Sequence, residues 1–408
     1  MSRARRLPFV ITGLAEFTTF LVVFAVSRDL AERGESLLTL GLFGGGFTLI
    51  YAFASVIGGL LADRYSRFGL MAGGGIVTLV ATAMGALGGA HAAYFSVAFG
   101  LGFFYPPLIA SLTQFGARRQ ARPQPAFLRF CVCWNIGLIC GQGTGGWLFL
   151  FGSAWPFYAA LGAAALNLVL LVTARSCFEV RFEDNVTASG STSQSQSASF
   201  QKLAWIANLS GAFSMSIVFN LFPRLAVDLG LPSDEHGAIL AITRVTTIVV
   251  YFLMYLSTSW HHNFGTAIAS QAVAVVGTIL VSQATGTITL SLGLIGLSQL
   301  AGYNYFASLY YSTTGSSEAR RGLASGLHEA SLGLGFAFGA VGGGFIGFVA
   351  GPRTPYLAAA GVIALAAIVQ IVIYFRGRAN DRADDRLDPS LSASSGSNLR
   401  SSQPTRQP

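Results

Sequence analysis

The hydrophobic pattern of this chain is a series of long apolar stretches separated by short polar connections. Each stretch has about 20 residues or more, the length that a helix needs to span the hydrocarbon core of a bilayer. Because lipid offers no water to the backbone, every stretch is predicted to be a helix, and weak period-two alternation argues against a β-barrel. The twelve predicted spans cover residues 8–30, 37–62, 68–90, 92–116, 125–150, 154–175, 203–227, 236–258, 264–284, 287–312, 322–349 and 355–375.

The composition agrees with a polytopic membrane protein. Of the 408 residues, 52% are hydrophobic and 10% are charged, whereas soluble domains carry about 25% charged residues. A lipid bilayer is therefore the expected surrounding of most of the chain. The net charge is +8, but the arginines lie in short segments between apolar stretches rather than on one polar face, so no nucleic-acid partner is expected.

The basic residues predict the orientation of the spans. An even number of spans places both termini on one side, and the segments on that side hold nineteen basic residues. The opposite ends hold four, namely Arg28, Arg33, Arg224 and Arg353. Because cytoplasmic segments carry the excess of Lys and Arg, both termini are predicted to be cytoplasmic. We expect an integral protein of the bacterial plasma (inner) membrane.

Two polar segments divide the chain. Residues 177–202 are rich in Ser and Gln and are predicted to form a flexible cytoplasmic linker. Residues 377–408 are rich in Arg, Asp and Ser and are predicted to form a disordered cytoplasmic tail. The spans then fall into an N-terminal six-helix bundle, residues 1–176, and a C-terminal six-helix bundle, residues 203–376.

A sequence repeat relates the two bundles. The glycine pattern of the fifth span returns in the eleventh span after a shift of 198 residues. Several matches at nearly one offset indicate two parallel six-helix repeats, related by an axis along the membrane normal, around a central cavity. Small residues at this spacing also let helices approach closely, so a packing role is predicted for Gly137, Gly141, Gly145 and Gly146 and for Gly335, Gly339, Gly343 and Gly344.

The polar connection after the second span resembles a family motif. Residues 58–69 read GGLLADRYSRFG, which is similar to the Gly-x-x-x-Asp-Arg-x-Gly-Arg motif that the major facilitator superfamily carries at this place. Gly59, Asp63, Arg64 and Arg67 match, and Ser66 stands where the motif has glycine. Together with the duplicated bundles and the central linker, the motif identifies residues 1–375 as resembling that superfamily. The resemblance implies a secondary transporter that works by alternating access.

The charged connection has two candidate roles. Its arginines can hold the topology of the spans. The resemblance implies a second role, in which Gly59, Asp63, Arg64 and Arg67 form a gate that joins helix ends of the two bundles when the cytoplasmic side is closed. Asp63 could then bind a helix N-terminus through the macrodipole. Three ionisable residues near the same side are assigned to a structural or gating role with it: Arg129, His328 and Glu329.

Two ionisable residues lie deeper in the predicted spans. Charged groups at the bilayer centre cost roughly 2.5–3.5 kcal/mol on insertion scales, so they mark functional candidates. Glu16 is the deepest acid, and Arg244 lies near the middle of the eighth span. Glu16 is predicted to carry a coupling proton or to bind the substrate. The alternative is a permanent ion pair of Glu16 with Arg129.

The resemblance implies that spans one, four, seven and ten line the cavity. Asn and Tyr side chains on such spans suit an organic solute with some polar groups. The residues assigned to substrate binding or coupling are Glu16, Asn208, Asn220, Arg244, Tyr303, Asn304 and Tyr305.

The sequence favours transport over catalysis. It contains neither a GxxxxGK[ST] phosphate loop nor histidines at metal-binding spacing, and three of the four cysteines lie in one apolar stretch without ligand spacing. We therefore expect no enzyme activity, no cofactor and no metal site. The expected function is secondary active transport of a small organic solute by a monomer, with protons as a candidate coupling ion. The alternative is a non-transporting membrane receptor or scaffold on the same fold.

Overall fold

The apolar stretches form helices throughout the described part of the chain. The computed structural model describes residues 6–117, 124–178, 191–314 and 321–387. These residues form thirteen helices: α1 (Leu7–Glu32), α2 (Leu37–Ala62), α3 (Arg67–Ala86), α4 (Ala90–Ala117), α5 (Gln124–Phe149), α6 (Trp155–Thr173), α7 (Arg175–Phe178), α8 (Ser191–Asp228), α9 (Ser233–Leu256), α10 (Phe264–Gln283), α11 (Thr287–Thr314), α12 (Arg321–Ala350) and α13 (Thr354–Leu387).

Twelve of these helices are long, and they coincide with the twelve predicted spans. In the described residues, ten of them are long and apolar enough to cross a membrane by themselves. The two long helices outside this set are α5 and α11. Both helices contribute residues to the interior of the protein.

Two predicted boundaries differ from the structure. Helix α8 begins at Ser191, inside the segment that the sequence predicts as a linker, and α13 continues to Leu387, past the predicted start of the tail at 377. Neither extension contains a proline, and Gly377 is the one glycine in the two of them. A membrane helix can therefore continue into a polar sequence when no proline interrupts it.

The repeat is visible in the turns and ion pairs of the two halves, α1–α6 and α8–α13. Gly34 after α1 and Gly230 after α8 both have positive φ angles, 77° and 73°. Their helices also end with corresponding pairs four residues apart, Arg28–Glu32 at 2.7 Å and Arg224–Asp228 at 3.0 Å. These features lie 196 positions apart, so the duplication extends to details that the glycine pattern does not contain.

The connections define two faces of the helix bundle. The turn between α2 and α3, residues 63–66, lies on one face, which we call the Asp63 face. The turn between α1 and α2, residues 33–36, lies on the other, which we call the Gly34 face. Serine side chains begin the helices that follow both turns, because Ser36 accepts a hydrogen bond from the Thr39 amide and Ser66 accepts one from the Gly69 amide.

The halves meet along two helix pairs, α2 with α12 and α5 with α9. Within the halves, α1 packs against α5 and α8 packs against α12. Helices α5 and α12 therefore each face their own half on one side and the other half on another side. This places the central cavity between the four helix pairs.

Two adjacent glycines in α5 face its two neighbouring helices, α1 and α9. A Cβ added to Gly145 would meet the ring of Phe24 in α1, whereas one added to Gly146 would lie 2.8 Å from the carbonyl oxygen of Ser233 in α9. Neighbouring residues of a helix point about 100° apart, so one glycine of the pair faces each partner. Two further glycines of the row also face α1: Gly137 and Gly141.

The same arrangement returns in α12. Gly343 faces Ile217 of α8, and a Cβ on Gly344 would lie 2.7 Å from the carbonyl oxygen of Leu37 and 3.0 Å from the Cα of Gly41 in α2. Two further glycines of this row face α8: Gly335 and Gly339. Glycine at these places allows backbones to approach more closely than side chains permit.

Candidate functional site

A central cavity lies between the two halves. Its volume is about 140 Å³, and its wall contains residues of eight helices: α1, α2, α4, α5, α8, α9, α11 and α12. Eleven of the thirty residues in the wall are aromatic, and polar side chains project among them. Six of the seven residues that the sequence assigns to substrate binding or coupling are in this wall: Glu16, Asn208, Asn220, Arg244, Asn304 and Tyr305.

Tyr303 is the one residue of that set that lies elsewhere. Its hydroxyl is 3.0 Å from the Thr266 hydroxyl of α10, and its ring packs near Trp260. Three successive residues of a helix cannot all face one cavity, because each is turned by about 100° from the last. Asn304 and Tyr305 face the centre, so Tyr303 faces α10 within the C-terminal half.

Glu16 is buried, with 5% of its surface exposed. It lies nine residues after the start of α1 at Leu7, which is about 14 Å along the helix axis. Tyr105 and Trp134 lie beside its carboxyl group, although the Tyr105 hydroxyl does not reach hydrogen-bond geometry. No basic side chain forms an ion pair with Glu16 within the described residues.

The alternative ion pair of Glu16 with Arg129 is therefore absent from this structure. Arg129 is exposed and lies outside the cavity wall, whereas Glu16 is buried within it. The two side chains belong to neighbouring helices, α5 and α1, but they point to different surroundings. The hypothesis of a permanent pair between them has no geometric support.

Arg244 is the buried base of the site. Only 4% of its surface is exposed, and its guanidinium carbon is 4.2 Å from the ring centre of Phe219 in a cation–π contact. The Nε atom has no hydrogen-bond partner, and no carboxylate in the described part of the chain forms an ion pair with the guanidinium. A charged group thus stands in the cavity wall with donors that remain available.

Glu329 joins the two halves at the cavity. One carboxylate oxygen accepts a hydrogen bond of 2.6 Å from Tyr51 in α2, and the other accepts one of 3.2 Å from Tyr305 in α11. The sequence assigned Glu329 to a structural or gating role near the cytoplasmic side, and the structure places its side chain in the cavity wall. His328 beside it is buried and faces Ser308, with 3.0 Å between Nδ1 and the hydroxyl.

Aromatic contacts within and between the halves border the cavity. Phe219 of α8 lies 5.6 Å from Phe20 of α1, measured between ring centres, and stacks on Phe336 of α12 at 5.8 Å. A second stack joins Trp134 of α5 to Tyr305 of α11, with ring centres 5.0 Å apart. Such contacts are typical of a cavity that holds an apolar body.

The asparagines of α8 and α11 differ in their hydrogen bonds. Asn220 donates to the backbone carbonyl of Ser216 at 3.0 Å, and Asn304 donates to that of Ala207 at 2.7 Å. The Nδ2 atom of Asn208 has no partner although the residue is buried. Asn208 is therefore the asparagine whose donor remains free for a bound molecule.

The charged turn on the Asp63 face contacts both halves. The Oδ2 atom of Asp63 accepts a hydrogen bond of 2.9 Å from the backbone amide of Leu323, the third residue of α12. The helix α12 approaches α2 closely at this face, because a Cβ on Gly326 would lie 3.3 Å from the Cα of Gly59. Asp63 and Gly59 of the N-terminal half thus meet the start of α12 in the C-terminal half.

The two arginines of the turn have different surroundings. Arg64 is exposed. Arg67 is buried and donates to the carbonyl of Ala110 in α4 at 3.4 Å, a contact within its own half. Asp63 and Gly59 thus both touch the other half directly.

Several wall residues were not singled out by the sequence. Tyr51 and Trp134 contact Glu329 and Tyr305, and Tyr251 lies 3.5 Å from Asn135 across the α5–α9 contact. An isolated aromatic residue in an apolar span gives no sign of which way it faces. Only the partner across the half-to-half contact identifies these three as part of the site.

The described residues contain no cluster of His, Cys, Asp and Glu that could hold a metal ion. Comparison with known proteins adds the family. The sequence model of the Major Facilitator Superfamily matches residues 9–312 and, in a second match, residues 204–404. The chain belongs to the Major Facilitator Superfamily. The duplicated bundles, the motif around Asp63 and the central cavity are thus features of a transporter fold.

Solved structures of transporters share this fold. The human organic anion transporter MFSD10 (TETRAN) is 16% identical, with a TM-score of 0.68 over 91% of this chain and 100% of that chain. The nucleoside transporter NupG is 14% identical, with a TM-score of 0.61 over 92% of this chain and 99% of that chain. The structure of a NupG mutant is also 14% identical, with a TM-score of 0.63 over 90% of this chain and 99% of that chain. A comparison with curated proteins finds no match.

Proposed function

We propose that this member of the Major Facilitator Superfamily is a secondary active transporter that moves a small organic solute by alternating access and couples it to protons through Glu16. The solute binds in the central cavity, and the halves open in turn toward the two sides of the membrane. A protein that alternates in this way needs a site shared by both halves. The cavity wall contains residues from both halves, which supports the proposal.

The buried carboxyl group of Glu16 is the observation that carries the proton coupling. It stands in the wall of a cavity between the halves without an ion pair in the described part of the chain. Intramembrane acids of this kind are typical of proton relays. Glu329, the other acid of the wall, has both oxygens bound by tyrosines. Glu16 is therefore the acid that can exchange a proton with the cavity.

The orientation follows from charge. We propose that the Asp63 face is cytoplasmic, because that face carries most of the basic connections. Both termini then lie in the cytoplasm, in the plasma (inner) membrane of a bacterium, and the protein acts as a monomer. The neighbouring folds include an organic anion transporter and a nucleoside transporter, which supports an organic solute.

The test uses purified protein in liposomes. A thermal-shift screen against a metabolite library selects a solute that stabilises the protein. The uptake of this solute into the vesicles is then measured, and a pH-sensitive dye inside them reports the accompanying protons. The wild type is expected to accumulate the solute when an inward proton gradient is applied. Glu16→Gln is expected to lose this accumulation but to keep solute exchange at equal concentrations, because the amide cannot carry a proton.

The matched control is Glu235→Gln, the same change at an exposed residue in the first turn of α9. It is expected to accumulate the solute as the wild type does. Undiminished proton-driven accumulation by Glu16→Gln would rule out the carrier role of Glu16. A solute that binds but never crosses the membrane would instead favour the receptor or scaffold alternative.

A further inference from the structure

Hydrogen-bond donors without partners face the central cavity. The Nε atom of Arg244 and the Nδ2 atom of Asn208 are buried without a partner, and both residues lie in the wall. A buried donor that loses its water without gaining an acceptor is costly, and the cost is larger for a charged group. The cavity wall thus contains buried donors that have no acceptor in the described part of the chain.

The acids of the wall do not supply that acceptor. Glu329 is bound to Tyr51 and Tyr305, and Glu16 forms no ion pair with Arg244 within 4 Å. A guanidinium stays charged in proteins and carries only hydrogen-bond donors. An oxygen-rich group from outside the chain is therefore needed to satisfy it.

The position of the guanidinium restricts the shape of this group. The ring of Phe219 covers one face of the Arg244 guanidinium at 4.2 Å. A stacked guanidinium keeps its N–H groups along its edges, where a carboxylate can accept two parallel hydrogen bonds. The ring also holds the fork in place through its own contacts with Phe20 and Phe336.

The remaining wall restricts the rest of the ligand. The rings of Phe20, Phe336, Trp134 and Tyr305 lie in the cavity wall, and aromatic rings suit contact with an aromatic or other apolar body. A ligand with a carboxylate at one end and an aromatic or other apolar body at the other matches both parts of the wall.

We infer that the solute of this protein is a monovalent organic carboxylate with an apolar, planar body, and that Arg244 binds its carboxylate. The inference rests on the proposed transport function and names the substrate class of the same cavity. A proton on Glu16 and the negative charge of the solute would cross together without adding net charge to the cavity. Asn208 contributes a second donor to the carboxylate from α8.

The test compares carboxylates with neutral molecules of the same shape. The probes are benzoate, phenylacetate and indole-3-acetate, each paired with its amide: benzamide, phenylacetamide and indole-3-acetamide. Binding to the purified full chain is measured by isothermal titration calorimetry, without any gradient. In the wild type, at least one carboxylate is expected to bind at least about tenfold more tightly than its amide, as a charged hydrogen-bonded pair allows.

Two variants of Arg244 probe the cause of this preference. Arg244→Gln is expected to lower carboxylate affinity by about tenfold or more and to change amide affinity by less than about twofold. Arg244→Lys keeps the charge but loses the planar fork, so an intermediate preference is expected, and this variant serves if the glutamine variant does not fold. The control is Arg224→Gln, which removes an arginine that pairs with Asp228 at the end of α8.

The outcomes separate the inference from the proposed function. Equal affinity of the wild type for acids and amides, or no binding of any carboxylate, overturns the inference. An equal loss for acids and amides in Arg244→Gln also overturns it, because Arg244 then acts as a structural counter-ion of the wall. In each of these cases, Glu16-dependent accumulation of another solute would leave the transport function standing.

Discussion

The hydrogen bond of Asp63 to the start of α12 leads to a quantitative prediction about opening on the Asp63 face. The Leu323 amide is one of the first amides of a helix, which have no partner inside the helix. Asp63 supplies that partner across the halves at 2.9 Å. If the Asp63 face opens during transport, this bond must break, so it stabilises the closed state.

Two substitutions separate the charge from the hydrogen bond. Asp63→Asn keeps an oxygen acceptor but loses the charge near the positive end of the helix, which is worth about 0.3–1 kcal/mol. Asp63→Ala also loses the cap, for a total of about 0.5–2 kcal/mol. The open fraction is therefore expected to rise about two- to fivefold in the asparagine variant and roughly two- to thirtyfold in the alanine variant.

The assay measures access to the cavity. The four native cysteines are replaced, and Ala301→Cys places a thiol in the cavity wall. A membrane-impermeant thiol reagent is then added from the Asp63 face of oriented vesicles, and the labelling rate reports the open fraction. Transport should slow in both variants because the closed state is less populated, while melting in detergent and membrane insertion should remain near the wild type.

Asp234→Asn is the matched control, since Asp234 is an exposed acid in the first turn of α9, on the Gly34 face. Its labelling rate is expected to equal that of the wild type. If Asp63→Ala changes neither labelling nor transport, the capping bond has no part in closure. The turn would then serve the topology of the spans alone.

Two further predictions concern packing and topology. Gly344→Val is expected to lower the melting temperature by a few degrees, because overpacking costs about 1–3 kcal/mol. Gly361→Val, at a helical glycine with no atom near a built Cβ, is expected to leave the melting temperature unchanged. Equal melting temperatures of the two variants in a thermal unfolding experiment would contradict the close α2–α12 contact. Reporter fusions near Ser195 and at the C-terminal tail should both report the cytoplasm, and a signal from the opposite compartment at either place would refute the twelve-span orientation.

The sequence predicts the helices better than their rotation. Apolar length alone locates twelve helices, because a bilayer accepts little else. It does not reveal which side of a helix faces the centre. Tyr303, which the sequence assigned to the cavity, faces α10, and Glu329, which it assigned to a structural or gating role, lies in the cavity wall. Orientation about the helix axis depends on neighbours from distant parts of the chain.

The site shows the same division between local and distant information. Glu16 and Arg244 could be selected from the sequence because a charge in an apolar span is conspicuous. Tyr51 and Trp134 could not be selected, since aromatic residues also occur on surfaces that face lipid. Their roles appear only through Glu329 and Tyr305, more than 150 residues away in the chain. Contacts between the two repeats cannot be read from either repeat alone.

The adjacent glycines of α5 and α12 bear on how the halves can move. Helices with large side chains lock together because the ridges of one enter the grooves of the other. Gly146 and Gly344 present backbone to the opposite half instead. At these places the α5–α9 and α2–α12 contacts therefore have no interlocking side chains that must separate before the helices move. The other glycine of each pair, Gly145 or Gly343, keeps its helix seated on α1 or α8. At these two contacts the helices of opposite halves can slide past each other, which would allow each half to move as a rigid unit in a shear motion.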